Sequence, residues 1–178
     1  MRKQSKSIED ESELYSFALK TLMRRAHSVR ELWQALGRKC SDADAVKRVV
    51  ARLRESRYLD DERYAKQFAR QHAEARKQGR FRIQRELRAR GVSDAHIQAA
   101  LAEVLAGSDE AASVRKHIER KLRARRGPLD QKRIASLYAS LLRAGFSGDV
   151  VRRELRNLTK HAAELPDTDG DLATDEHR

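Results

Sequence analysis

The apolar positions repeat one spacing three times along the chain. Over 32–53, LWQALGRKCSDADAVKRVVARL carries Leu32, Leu36, Val46, Val50 and Leu53. At an offset of 51 residues, IQRELRARGVSDAHIQAALAEV (83–104) fills the same slots with Ile83, Leu87, Ile97, Leu101 and Val104. At a further offset of 54, LYASLLRAGFSGDVVRRELRNL (137–158) supplies Leu137, Leu141, Val151, Leu155 and Leu158. Spacings of three and four on either side of a central turn predict two amphipathic helices per copy. The turn residue aligns as Cys40, Gly91 and Gly145. Glycine suits the position after a helix because it tolerates positive φ. Cys40 breaks that rule, so a first turn of different shape is expected. Each copy is preceded by another helical stretch, over 11–25, 60–77 and 109–126. The pattern therefore predicts an all-α chain of nine helices in three tandem three-helix repeats. Because one such unit buries little by itself, the three should stack into an elongated, curved array. The expected organisation is a flexible N-terminus (1–10), repeats over 11–56, 57–106 and 107–162, and a disordered acidic tail (163–178).

Helix-start signals agree with these boundaries. Ser28 and Glu31 fit a capping box. Ser93, between Val92 and Ile97, fits an N-cap with a hydrophobic staple, and Ser147 repeats it with Phe146 and Val151. Asp42 keeps the cap without the staple, and Gly127-Pro128 ends the long helix before it. In the run YLDDERYAKQF (58–68), Asp60 reads as an N-cap with Leu59 and Tyr64 as its staple. Asp61 and Glu62 then fall in the first turn, where carboxylates favour the positive end of the helix dipole. Neighbouring residues on a helix diverge by about 100°, so these three carboxylates are expected to start a helix rather than converge on a metal. A nuclease built on Asp60, Asp61 and Glu62 is the enzymatic alternative.

Composition adds a partner class. The chain has 39 Lys and Arg against 27 Asp and Glu, a net charge of +12 and a pI near 10.2. Only 39% of its residues are hydrophobic and 5% aromatic, which suits thin helical layers better than one large core. The acids concentrate at the end: ELPDTDGDLATDEHR (164–178) has a net charge of −5, leaving +17 on residues 1–163. No apolar run approaches the ~20 residues of a membrane span, and MRKQSKSIEDESE has no signal core. The single cysteine, Cys40, excludes an intrachain disulfide and a Cys-based zinc site. A cytoplasmic monomer that meets a polyanion is the expectation.

Two stretches concentrate the positive charge. Residues 70–90 hold eight basic side chains and two acidic ones, and residues 115–126 hold seven and one. Arg76, Lys77, Arg80, Arg82, Arg85 and Arg88, with Lys116, Arg120, Lys121 and Arg123, are the candidate contacts. Basic faces also keep thin helices in solution, but here acids are too few for routine i, i+4 pairing. Phosphate contacts need only Arg and Lys at reachable spacing. The scarcity of aromatics argues against a stacking platform for single strands. Phe81 is expected to pack at its helix start, and Trp33 and Cys40 within the first unit. The six histidines show no ligand spacing, and no phosphate-binding glycine loop or catalytic triad is recognisable. No cofactor or metal is expected.

In combination, ALKTLMRRAHSVRELWQAL, VVARLRESRYLDDERYAKQFARQHA and GRFRIQRELRARGVSDAHIQAAL resemble the RecX family, regulators of the RecA recombinase. The resemblance covers about residues 14–160 and is most specific over 53–101. The third unit matches more loosely, and the acidic tail lies outside the match. The resemblance implies three tandem three-helix repeats and no catalytic activity. It also implies binding to the RecA filament on DNA, in its helical groove, with inhibition of ATP hydrolysis, strand exchange and SOS coprotease activity. The basic residues named above would then face RecA, DNA phosphates or both. A stand-alone DNA-binding protein that acts by coating DNA is the alternative.

Overall fold

The computed structural model describes residues 8–124 and 127–164, and every regular element among them is helical. The first unit contains α1 (Glu11–Arg24), α2 (Val29–Gly37) and α3 (Ala43–Glu55). The second contains α4 (Asp61–Glu74), α5 (Arg80–Ala89) and α6 (Asp94–Val104), and the third α7 (Glu110–Ala124), α8 (Gln131–Ala144) and α9 (Gly148–Glu164). The acidic tail expected after residue 163 lies almost wholly outside the described residues.

Each unit closes over its own core. Leu14, Leu32, Leu36, Val46 and Leu53 pack in the first, Ile83, Leu87, Ile97 and Leu101 in the second, and Val114, Leu141 and Val151 in the third. Apart from Leu14 and Val114, which come from the first helices of their units, these are the repeating slots read from the sequence. Full burial of one such side chain contributes about 1.5–3 kcal/mol, so the stripes drive each unit together. Polar contacts set the register. In every unit the first and third helices run side by side in the same direction, tied across a separation of 37 residues. The ties are Arg48 to Glu11 at 2.8 Å, Lys66 to Glu103 at 2.9 Å, and the Ser147 N–H to Glu110 at 2.8 Å.

The units meet through the ends of their second helices. The first turn of a helix leaves N–H groups unpaired and the last turn leaves carbonyls unpaired. Ser28, the N-cap of α2, is fully buried, and its hydroxyl donates to the Arg90 carbonyl at the end of α5 at 2.6 Å. At the equivalent position Gly79, the N-cap of α5, donates its N–H to the Ala144 carbonyl at the end of α8 at 2.8 Å. The Phe81 N–H adds a bond to the Gly145 carbonyl at 3.1 Å. Donors and acceptors keep the repeat offsets of 51 and 54 found in the sequence. The matching carbonyl of the first unit, Lys39, takes the N–H of Ile8 at 2.8 Å. The N-terminal arm thus fills the place a preceding unit would hold.

The two seams differ in chemistry. At the first, Ser28 and Glu31 form the expected capping box. Glu31 also accepts from the Tyr64 hydroxyl at 3.2 Å and faces Arg25 at 3.4 Å. Burial raises the Glu31 carboxyl, but hydrogen bonds from Ser28 and Arg25 outweigh it and hold the group below its ordinary value. Tyr64 is pushed up to about 12 by burial and by Glu31. The second seam is backbone against backbone. A Cβ on Gly79 would lie 2.2 Å from the Gly145 carbonyl oxygen, and one on Gly145, at φ 90°, would lie 2.3 Å from the Arg82 nitrogen.

Three expectations are corrected. Leu59 packs into the first core and Tyr64 into the second, so the expected staple is divided between units. Phe81 is 52% exposed and Trp33 39% exposed, whereas Cys40 is buried as expected. The start of α5 meets α8 through backbone, at Gly79 and the Phe81 N–H, and not through the Phe81 ring. The first turn does differ: Lys39 and Cys40 both donate to the Leu36 carbonyl, without the positive φ of Gly91 and Gly145.

Gly79→Ala should destabilise the chain by about 1–3 kcal/mol, the usual cost of forcing atoms into a filled space, measured by urea denaturation. Gly37→Ala, with nothing within 4 Å of the new Cβ, should be neutral or stabilising by up to about 1 kcal/mol.

Candidate polyanion-binding surface

The second seam creates a cleft of about 510 Å³ between the second and third units. One wall comes from the end of α4 and the loop into α5, carrying Lys77 and Arg80. The opposite wall is α7, carrying Lys116, His117 and Arg120, and Val104, Leu105 and Phe146 supply apolar surface between them. Four of the ten candidate cations, two from each basic stretch, therefore converge on one concavity. Lys116 and Arg120 stand one helical turn apart on the cleft side of α7. Lys77 occupies a left-handed conformation, φ 53°, at the bend between α4 and α5. Glu74 and Glu110 also line the cleft, and Glu110 is engaged by the Ser147 N–H.

The other candidates are dispersed. Arg82 is tied to Glu86 at 2.8 Å and lies against Gly145 in the seam. Arg88 is tied to Asp94 at 2.6 Å. Arg85 is exposed on α5. Arg82, Arg85 and Arg88, all on α5, thus have three different surroundings. Arg76 is exposed near His72, Lys121 is exposed on α7, and Arg123 faces Glu119 loosely at 3.9 Å. Arg115, in the same basic stretch, is held by the nearly buried Glu154 at 3.1 Å.

His117 was no sequence candidate, because a lone histidine without ligand spacing carries no signal. It is 9% exposed and packs edge-on to Phe146. Its Nδ1 lies 3.1 Å from the Arg120 Nη2, which can only donate. The imidazole proton therefore sits on Nε2, which is buried and unpartnered. Burial, then the charges of Arg120 and Lys121, lower its pKa. His72 is 3% exposed, stacks on Phe68 with ring centroids 3.7 Å apart, and bonds Gln78 at 2.7 Å. Burial lowers its pKa too, outweighing the bond to Gln78 and the nearby Glu86.

The carboxylate run at the start of α4 is divided among three tasks. Asp60 accepts from the N–H groups of Glu62 and Arg63 as N-cap, at 2.9 and 3.1 Å. Asp61 reaches across to the Val29 N–H at 2.9 Å, and its burial raises its carboxyl above the ordinary value. Glu62 pairs with Lys66 at 2.9 Å. No metal-holding cluster of His, Cys, Asp and Glu occurs among the described residues. No helix among them is long and apolar enough to cross a membrane.

Comparison with known proteins matches each unit in order. The domain described as RecX, first three-helix domain, matches residues 15–53; the second matches 60–101 and the third 108–155. The chain belongs to the RecX family of regulatory proteins. The Regulatory protein RecX of Halorhodospira halophila is 40% identical over 135 residues, covering 76% of this chain and 81% of that protein. That of Chromobacterium violaceum is 33% identical over 138 residues, covering 78% and 86%. That of Lactobacillus delbrueckii subsp. bulgaricus is 30% identical over 148 residues, covering 83% of this chain but 54% of the longer relative. Two crystal structures share the fold at 21% identity. RecX from Lactobacillus salivarius gives a TM-score of 0.68, covering 85% of this chain and 98% of that one. A second crystal structure, of a regulatory protein RecX, gives 0.72, covering 83% and 73%.

The buried His72 and His117, with the partly exposed His27, should make this RecX fold acid-sensitive. Folded-state pKa values below the ordinary 6.5 for His27, His72 and His117 mean that the folded chain binds fewer protons than the unfolded one. Their contribution to stability is therefore complete above 6.5 and is lost as pH falls below it. Asp61, with its raised value, acts in the opposite sense nearer the carboxylate range. The urea midpoint should fall from about pH 6.5 towards pH 5, and His117→Gln should flatten that decline.

Proposed function

We propose that the chain is a negative regulator of RecA that binds the groove of the RecA–DNA filament. In this reading it inhibits ATP hydrolysis, strand exchange and SOS coprotease activity without catalysing a reaction, in the cytoplasm. Membership of the RecX family supports RecA as partner. The observation that carries the choice of surface is the convergence of Lys77, Arg80, Lys116 and Arg120 on one cleft. Cations on a concave, partly apolar wall hold an anion better than the same charges on an open helix, because field lines concentrate there. Arg76, Arg85, Lys121 and Arg123 lie outside the cleft and add exposed positive charge on or near the elements that form it. Arg82 and Arg88 contribute less, since each is already neutralised by a partner. Three linked units can engage neighbouring filament subunits at once, so weak contacts multiply when geometry permits.

The test is inhibition of the RecA ATPase on single-stranded DNA by amounts of the chain far below those that coat the DNA. Inhibition that appears only when DNA is coated would replace this reading with the stand-alone DNA-binding one. Lys116→Glu with Arg120→Glu should weaken filament binding at least about tenfold, or about 1.4 kcal/mol. For every phosphate no longer neutralised, the log–log salt slope should become shallower by about 0.9 on duplex DNA or 0.7 on a single strand. Arg88→Glu should have a smaller effect. Equal losses from the two variants would move the binding surface from the cleft to α5.

A further inference from the structure

The cleft carries net positive charge, an apolar floor and an unmatched buried donor, and the same chain contains a segment of the complementary character. Residues 167–176, DTDGDLATDE, hold five carboxylates, with Leu172 and Ala173 among them and no basic residue. They follow α9, whose last residue is Glu164. The direction of α9 decides whether they can reach the cleft. Glu110 meets Ser147 at the starts of α7 and α9, and Arg115 meets Glu154 further along, so the two helices run the same way. The end of α9 therefore lies beyond the end of α7, past Arg120 and Lys121. At 1.5 Å per residue the return to the level of Lys116 and Arg120 is roughly 10–20 Å. At about 3.3 Å per residue, three to six residues beyond Glu164 span that distance in extended form, so the carboxylates from about Asp167–Asp171 onward come within reach of the cleft.

We propose that residues 167–176 dock in the cleft between the second and third units and act as an intramolecular competitor for its cations. The carboxylates pair with Lys77, Arg80, Lys116 and Arg120, and the leucine covers Val104, Leu105 and Phe146. Tethering favours the contact, because an attached segment reaches an effective concentration in the millimolar range for a short linker. The pairs are solvent-accessible and individually weak, so the segment yields to a denser polyanion or to added salt. This regulation rests on the cleft being the binding surface proposed above, but the docking itself does not.

The experiment compares the full chain with a full-length variant in which Asp167, Asp169, Asp171 and Asp175 become Asn and Glu176 becomes Gln. Amide and arginine side-chain NMR signals are recorded for both. Neutralisation should shift signals of Lys77, Arg80, Lys116, His117 and Arg120, leave the first unit unchanged, and reproduce the shifts seen at about 0.5 M salt, where screening is strong. The same neutralisation made on a Lys116→Glu, Arg120→Glu background should lose most of these shifts. Absence of cleft shifts, or shifts spread evenly over all exposed arginines, overturns the docking. Binding to an oligothymidylate and to RecA filaments is then measured with both chains. A gain of about three- to tenfold on neutralisation completes the competitor reading. Cleft shifts without any gain keep the docking, and they overturn both the competition and the cleft as the binding surface. A gain without cleft shifts reflects only net charge and overturns the proposal.

Discussion

The unpaired carbonyls at the end of one helix meet the unpaired N–H and hydroxyl donors at the start of another, and this exchange holds the units in line. A helix end buried without partners costs the desolvation of each orphan group. Here Ser28 against Arg90, and Gly79 with Phe81 against Ala144 and Gly145, cover those groups while placing one unit on the next. The dipoles of α2, α5 and α8 are also brought positive end to negative end. Each unit could close its own core alone, but only this contact fixes where one core stands relative to its neighbour.

The cleft follows from the second of these contacts. Because Gly79 and Gly145 have no side chains, α5 approaches α8 within backbone hydrogen-bonding distance. That approach sets the end of α4 opposite α7 and leaves a gap between them. The gap collects Lys77 and Arg80 from one side and Lys116 and Arg120 from the other. At the first seam, the wider capping box and the Glu31–Tyr64 pair fill the corresponding space with protein groups. Two seams built from equivalent positions therefore give one filled junction and one open, basic junction. Few bonds cross the second seam, so opening between units is expected at lower free energy than unfolding of any core.

The sequence made the units legible because their stripes, caps and turns are local. Leu32, Ile83 and Leu137 needed only their neighbours at helical spacing to be placed, and Asp60 announced itself as a cap. The cleft was not legible, since its walls come from residues about 40 apart and its depth from the close approach of Gly79 to Gly145, of which only Gly145 has a local turn signal. The fate of the α5 arginines was hidden for a similar reason: helical spacing puts Arg82, Arg85 and Arg88 near one side, but Glu86 and Asp94 claim two of them. Asp61 looked like half of a helix-start signal and instead caps α2 of the preceding unit. Family resemblance supplied the proposed partner, which no spacing could.

The Ile8 bond to Lys39 has a consequence for assembly. A contact that joins the head of one unit to the tail of the next is heterologous, and such contacts can continue from molecule to molecule as open filaments. The chain carries the acceptor for that growth at the end of α2, equivalent to the carbonyls of Arg90 and Ala144. Ile8 occupies it from within, donating its own N–H at 2.8 Å. A polymerising geometry is thereby blocked at that acceptor by a group the molecule carries itself.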